Sequence, residues 1–358
     1  VRIVAERYLT ADPSDVRGLA EALDSGRLDP HRIVAAIGKT EGNGGRNDFT
    51  RALAVNGIAE CIGERTGESR EVVLDRVVCS FSGGCEGVAS PHLLVLAYSG
   101  VARRVPRDTK RLALAVGYTR AFRPAECGRM AMIEETARVV RELMAETGIE
   151  AARDVHLVQI KGAIPAGGAA DDRADMVYSR GASALGVALA LGEVDAADLS
   201  DAAVCADWSL YSGVASVSSK PGLERSEIVL VGNSPYWEGD LRIAHGVMRD
   251  IIDIEAIRGV LSELGLEADG QLTPEQTERL VGVFAKSDAD PRHAIRGRRH
   301  TMWTDDDISD MRYSRGVVAA QLAGVTGETA VYVSTRAEHH GPLGGGPVAI
   351  IARDTPAP

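Results

Sequence analysis

Aromatic residues make up only 4% of the 358 residues, and no apolar run approaches the roughly 18 residues of a membrane-spanning helix. The longest such stretch, around Ala182–Leu191, is interrupted by Gly186. Positive charge is also in deficit: 40 Lys and Arg face 51 Asp and Glu, for a net charge of −11. That argues against nucleic acid or an anionic membrane as the main partner, although a local basic pocket survives such an average. The five cysteines (Cys61, Cys79, Cys85, Cys127 and Cys205) are odd in number, scattered and without a Cys-x-x-Cys pair. Free thiols in a reducing cytoplasm are the expectation. The first residues, Val1 to Arg7, carry no signal-peptide pattern. No His-Glu-x-x-His motif is present, and the neighbours His339 and His340 would point to opposite faces of a strand. What is present is a 45% hydrophobic composition and 39 glycines, which suit a folded core with many turns. The length suggests two or three compact units.

The chain repeats itself. Tyr178-Ser179-Arg180-Gly181 returns as Tyr313-Ser314-Arg315-Gly316, and a weaker copy stands at Phe49-Thr50-Arg51-Ala52. Each opens a helical stretch of small residues. Upstream of each arginine lies an apolar run ending in lysine: Ile33 to Lys39, Val155 to Lys161 and Leu280 to Lys286. The first two read as buried strands, whereas the third follows a helical pattern. Downstream lies a second apolar run ending in serine: through Ser82, through Ser234 and through Ser334. Amphipathic helices are expected at Glu134–Thr147 and Ile254–Leu264, and Thr273-Pro274 is a helix start. Linkers fall near Arg103–Lys110 and Arg249–Asp253. The reading is an α/β fold of three similar units, 1–104, 110–249 and 254–358, each a small sheet backed by helices around a pseudo-threefold axis.

Three Lys/Arg/Ser sets suggest chemistry. A buried lysine beside an arginine loses its proton more readily and becomes a plausible general base. A serine next to it becomes a plausible nucleophile. The arginine offers a planar fork for carbonyl oxygens. Three such sets about one axis suit a small, flat ligand with alternating carbonyls, although duplication preserves scaffold residues as well as catalytic ones.

Four segments carry a resemblance: Gly38-Lys39-Thr40-Glu41-Gly42-Asn43-Gly44, Ser82-Gly83-Gly84-Cys85-Glu86-Gly87-Val88, Tyr178 to Gly186, and Ala337-Glu338-His339-His340-Gly341-Pro342-Leu343-Gly344-Gly345-Gly346-Pro347. Over essentially the whole chain the sequence resembles the cyanuric acid hydrolase/barbiturase family of ring-opening cyclic amide hydrolases. The resemblance implies the "Toblerone" fold, a small cyclic amide as substrate and a homotetramer. Matched position by position, it implies Lys161 and Ser234 as catalytic base and nucleophile. It implies Lys39, Arg51, Ser82, Gly83, Arg180, Pro235, Lys286, Arg315, Ser334 and Thr335 as the substrate-binding set. It also implies a structural cation, Mg²⁺ foremost and Ca²⁺ or Na⁺ otherwise, with no organic cofactor. Asp288 and the backbone carbonyls of Ala337, His340, Gly341, Pro342 and Gly345 would hold that cation, and an all-oxygen set suits a hard ion.

Several positions depart from the family pattern. Pro235 after the expected nucleophile has no N–H to donate. Thr335-Arg336 stands where two glycines are usual, bringing a cation near the axis. Cys85 replaces a threonine, Asp288 replaces a glutamate, and Gly162 to Pro165 differ from the common sequence after the lysine. The lost donor at Pro235 and the added cation of Arg336 predict poor turnover of cyanuric acid, and make barbituric acid or another cyclic imide the better candidate. A binder that hydrolyses nothing is the reading from a different class. A nucleotide-binding P-loop ending at Gly38-Lys39-Thr40 is excluded, because its first glycine would fall at Ile33. No Gly-x-Gly-x-x-Gly pattern opens a helix at Gly344–Gly346, which reads as a tight turn. No Ser-x-x-Lys motif occurs either.

Overall fold

The computed structural model describes residues 1–101, 105–167, 173–302 and 308–354. Its first unit contains β1 (Arg2–Leu9), α1 (Arg17–Asp24), β2 (Ile33–Lys39), α2 (Thr50–Thr66), α3 (Arg70–Arg76), β3 (Val78–Ser82) and β4 (His92–Ser99). The second contains β5 (Arg111–Tyr118), α4 (Met130–Thr147), β6 (Val155–Ile164), α5 (Met176–Leu191), β7 (Ala215–Pro221) and β8 (Glu227–Ser234). The third contains β9 (Leu241–Met248), α6 (Ile254–Glu263), α7 (Pro274–Thr277), β10 (Leu280–Lys286), a short hairpin β11 (Ala294–Ile295) and β12 (Arg298–Arg299), α8 (Asp310–Thr326), β13 (Val331–Ser334) and β14 (Gly346–Arg353).

The three four-stranded sheets have one topology. Their orders are β1-β4-β2-β3, β5-β8-β6-β7 and β9-β14-β10-β13. In each, the lysine-bearing strand pairs in parallel with the next strand after its helix, and antiparallel with the last strand of the unit. The run ending in Lys286 is therefore a strand like its two counterparts, not the helix its spacing suggests. A run of six apolar or glycine residues before Lys286, buried on both faces, loses the period-2 signal, and position in the sheet decides.

The sheets also move a boundary. Strand β9 pairs with β14 along its whole length, from Met248↔Gly346 to Leu241↔Arg353. The third unit therefore begins at Leu241, and the turn at Arg249–Asp253 lies inside it. The other expected linker starts in residues that lie outside those described.

Each sheet is covered on its outer face by helices, and the inner faces share one core. That core joins Ile37, Leu94, Leu114, Leu157, Phe284 and Tyr332 from all three units. Helix α5 packs tightly on α4 because its buried face is built of small residues; a Cβ at Gly186 would stand 2.7 Å from the Ile133 carbonyl. The expected helices formed, with α4 running to Thr147 and α6 from Ile254, and Thr273 with Gln276 forms the capping box that starts α7.

Contacts between units follow a cycle. The serine-side strand β3 meets the second unit's β6, β7 meets the third unit's β10, and β13 meets the first unit's β2. Every lysine strand thus borders the serine strand of the preceding unit.

Candidate active site at three corners of the prism

Side chains alternate along a strand, so the residues facing the axis can be read in layers. One layer holds Gln159 and Tyr332 with Ser80. The Gln159 amide donates to Ser80 Oγ at 3.0 Å and to the Tyr332 hydroxyl at 3.4 Å. Two residues further along the strands, Lys39, Lys161 and Lys286 form the next layer, all nearly excluded from solvent.

The residue opposite each lysine on its parallel neighbour is a serine. The pairs are Lys39↔Ser82, Lys161↔Ser218 and Lys286↔Ser334. The second serine is therefore Ser218, and Ser234 does not meet Lys161. Ser234 ends β8, where Arg111 is its partner, while Lys161 faces Glu227 at the strand's other end. Seven residues at about 3.3 Å each separate those ends by roughly 23 Å. The buried Ser234 hydroxyl instead donates to the Gly148 carbonyl at 3.4 Å and accepts from Tyr236 N–H at 3.3 Å. Pro235 goes with it: its carbonyl accepts from Arg107 N–H at 2.9 Å, away from the lysine layer. The residue that follows Ser218 is Ser219, which has the N–H that proline lacks.

The arginines lie in the first two turns of helices α2, α5 and α8, and each reaches the lysine of the following unit. Arg51 from the first unit lowers the pKa of Lys161, Arg180 from the second that of Lys286, and Arg315 from the third that of Lys39. Burial is the larger cause in every case. Together they bring Lys161 down to about 7 and Lys39 to about 8, and push Lys286 well below the ordinary lysine value.

The three corners are not equivalent. Arg180 makes a bidentate ion pair with Glu338, both bonds 2.7 Å, and Arg315 pairs with Glu86. Both glutamates stand four residues past their serines, in loops that turn back over the corner. In the second unit the strand does not stop at Ser218; β7 runs on beside β6 to Pro221, opposite Ile164. Position 222 is glycine, so no carboxylate closes on Arg51 from there. Arg51 bonds the Gly45 carbonyl at 2.5 Å and lies 3.6 Å from Asp48, which stands just before its own helix.

The lysines differ likewise. Lys39 donates to the Thr40 carbonyl at 3.3 Å and to that of Gly84, while Ser82 donates to the Val333 carbonyl at 2.7 Å. Lys286 lies 3.2 Å from Ser334 Oγ but donates to the Thr335 carbonyl at 2.7 Å. Lys161 Nζ lies 3.1 Å from Ser218 Oγ, its one hydrogen-bond partner among the described residues. A cavity of about 580 Å³ at the seam of the first two units has Lys161, Arg51, Ser219 and Glu227 in its wall.

The remaining expected residues fall into place around these corners. Gly83 follows Ser82 beside Asp48, whose carboxylate accepts from Gly44 N–H at 2.8 Å. Thr335 Oγ1 accepts from Arg315 at 2.9 Å. Arg336 adopts a left-handed backbone (φ 63°) and pairs with Asp310 at 3.0 Å, so its charge is taken up. In the glycine loop, the Ala337 carbonyl accepts from His340 N–H, that of Pro342 from Gly345 N–H, and that of Gly345 from Asp288 N–H, at 3.0, 2.9 and 3.2 Å. Gly341 N–H donates to the Ser212 carbonyl at 2.9 Å, which ties the loop to the second unit. His340 is locked between the Glu338 carbonyl and Val217 N–H. The glycines are steric: a Cβ at Gly346 (φ 151°) would sit 1.8 Å from the Lys286 carbonyl. Among the described residues, no cluster of three His, Cys, Asp or Glu side chains is arranged for a metal. Asp288 forms no ion pair among them, and burial pushes its carboxyl up to about 6.

A threefold prism with a Ser-Lys pair at a corner defines a hydrolase scaffold built by repetition. The comparisons give it a family: residues 5–353 match the amidohydrolase ring-opening protein model. A cyanuric acid amidohydrolase of Enterobacter cloacae is 44% identical, with 97% of this chain and 98% of that protein covered. A cyclic amide hydrolase of Azorhizobium caulinodans is 40% identical, covering 99% and 100%. A solved cyanuric acid hydrolase, described as an innovation by structural concatenation, superposes with a TM-score of 0.90 at 43% identity, over 98% of this chain and 99% of that one. The chain belongs to the ring-opening amidohydrolase family and has its concatenated three-unit fold.

Proposed function

We propose that this chain hydrolyses a small cyclic amide, opening the ring through an acyl-enzyme on Ser218 with Lys161 as general base. The observation that carries this reading is the 3.1 Å Lys161–Ser218 contact at the one arginine corner that no glutamate closes. Neutral Lys161 takes the hydroxyl proton as Ser218 Oγ bonds to a ring carbonyl carbon. The ring C–N bond breaks and its nitrogen takes that proton from Lys161. Water then adds to the acyl carbon, the ester C–O bond breaks, and Ser218 recovers a proton. The other two corners hold the remaining carbonyls through Ser82, Ser334 and the arginines, with N–H groups available at Gly83, Ser219 and Thr335.

Cyanuric acid is the first substrate to expect, and barbituric acid the second. The grounds for disfavouring cyanuric acid were Pro235 and Arg336; one lies elsewhere and the other is paired with Asp310. Assays on both rings with the wild type, Ser218→Ala and Ser234→Ala test the reading. Ser218→Ala should lose about 10³-fold or more in kcat, and Ser234→Ala should keep turnover. Folded wild-type protein that binds either ring without opening it would establish a binder instead.

A hard cation is part of the reading. Asp288, beside the Gly345 carbonyl and with no ion pair among the described residues, fits an oxygen-donor site with Ala337, His340, Gly341 and Pro342. Mg²⁺ is proposed first, as a tie for the loop after Ser334. Added Mg²⁺ or Ca²⁺ should raise Tm and a chelator lower it. We also propose a homotetramer, checked by light scattering. Free thiols at all five cysteines agree with a reducing compartment, and no helix among the described residues is long and apolar enough to cross a membrane.

A further inference from the structure

No glutamate closes on Arg51 from the loop after Ser218, yet the second corner does hold a carboxylate. Glu227, the first residue of β8, lies directly opposite Lys161 in the antiparallel ladder between β6 and β8. Directly opposed residues send their side chains to the same face of the sheet, with Cβ atoms about 5 Å apart. Both residues line the cavity at the seam of the first two units, and Arg51 stands in the same wall. Glu227 is half-buried there and forms no ion pair among the described residues.

The other two lysines lack such a neighbour. Opposite Lys39 is His92, whose Nδ1 donates to the Ser90 carbonyl at 2.9 Å and which burial keeps uncharged, bringing it down to about 4. Beside Lys286 the ladder with β14 ends one residue earlier, at Ala285↔Val348. The glutamates of those corners, Glu86 and Glu338, are taken up by Arg315 and Arg180. At the second corner the glutamate stands against the lysine strand instead of on the arginine.

From this placement we infer that Glu227 is a positioning residue for the ring opening, acting through Lys161 as the counter-charge to the ammonium that forms when Lys161 takes the Ser218 proton. The inference rests on the proposed ring-opening reading and adds a residue to it. The proton moves from Ser218 Oγ to Lys161 Nζ and on to the leaving ring nitrogen, while Glu227 stays ionised throughout. The groups facing Lys161 are Arg51 from α2, Cys79 from β3, Lys220 from β7 and Glu227 from β8. Arg51 and Lys220 favour the neutral amine, and Glu227 favours the ammonium. The Cys79 thiol stays protonated, because burial pushes it up to about 12. Glu227 in turn is faced by Lys161, Lys220, Arg225, Asp75 and, across the β5–β8 ladder, Tyr118. Burial raises its carboxyl above the ordinary value, against the pull of the three cations. Without the Glu227 charge, Lys161 would stay neutral to lower pH and be a weaker base.

Glu227→Gln keeps the shape of the side chain and removes its charge. With cyanuric acid as substrate, the acid limb of kcat/KM is expected to move to lower pH by about one pH unit, and the plateau above it to fall about threefold or more. Glu227→Asp, which keeps a carboxylate, is expected to bring the limb back toward the wild-type position. A carboxylate with a merely structural role would lower Tm and scale the whole profile without moving the limb. A limb in Glu227→Gln that coincides with the wild type, or moves to higher pH, overturns the inference and leaves the proposed function standing. Wild-type protein that opens neither cyanuric nor barbituric acid overturns the proposed function, and the inference with it.

Discussion

Lys161 sets the terms of the chemistry at the scale of single residues. An ammonium group enclosed among apolar strands and faced by Arg51 gives up its proton near neutrality instead of near the ordinary lysine value of 10.5. Activity in kcat/KM should therefore rise with pH through about 7, because below that value Lys161 is protonated and cannot take the Ser218 proton. Replacing Arg51 with methionine removes a neighbouring charge that favours neutral lysine, so that limb should move to higher pH. A pH profile of both proteins checks the sign. Stability follows the same group: the unfolded chain binds more protons than the folded one between about 7 and 10.5, so Lys161 makes stability rise with pH across that window. Ser234, with two long bonds, to the Gly148 carbonyl at 3.4 Å and from Tyr236 N–H at 3.3 Å, should cost only about 1–2 kcal/mol when changed to alanine.

Among the elements, strand β7 separates the reactive corner from the other two. It continues past its serine where β3 and β13 stop, and this leaves Arg51 without the glutamate that Arg180 and Arg315 possess. Glu338→Ala should destabilise the fold by about 3–5 kcal/mol, since buried Arg180 would lose both bonds of its ion pair; a denaturant titration reads it. The same strand explains where sequence reasoning stopped. The repeats, the lysine strands and the arginine helices were legible, because apolar runs and the Tyr-Ser-Arg-Gly match survive duplication. The second serine was not. Ala215-Ser216-Val217-Ser218-Ser219 is short and polar beside Ile228 to Ser234, and apolar content alone favours the longer run. Strand order was the missing rule: the serine strand follows the helix and lies parallel to the lysine strand, as β7 does and β8 does not. The interval from Arg180 to Ser234, longer than its counterparts, was the available warning. Glu86 and Glu338 lay within recognised segments, but only the folded corners show what they pair with.

At the scale of the whole molecule, three copies of one topology close on a common core, and each corner is assembled from two of them. Arg51 belongs to the first unit, while Lys161 and Ser218 belong to the second, so the proposed chemistry depends on the seam. Substituting the three corner arginines by methionine should then give unequal results. Arg51→Met should cost most in kcat/KM with little loss of Tm, whereas Arg180→Met should cost most in Tm, because it strands the buried Glu338, and Arg315→Met less, because half-buried Glu86 keeps its pair with Arg312. Equal losses of kcat/KM in all three would show that the corners act alike. The most direct test of which corner reacts is rapid quenching in acid during turnover of cyanuric acid, followed by mass analysis of the digested protein. The acyl adduct is expected on the peptide containing Ser218; an adduct on Ser82, Ser334 or Ser234 instead would contradict the account.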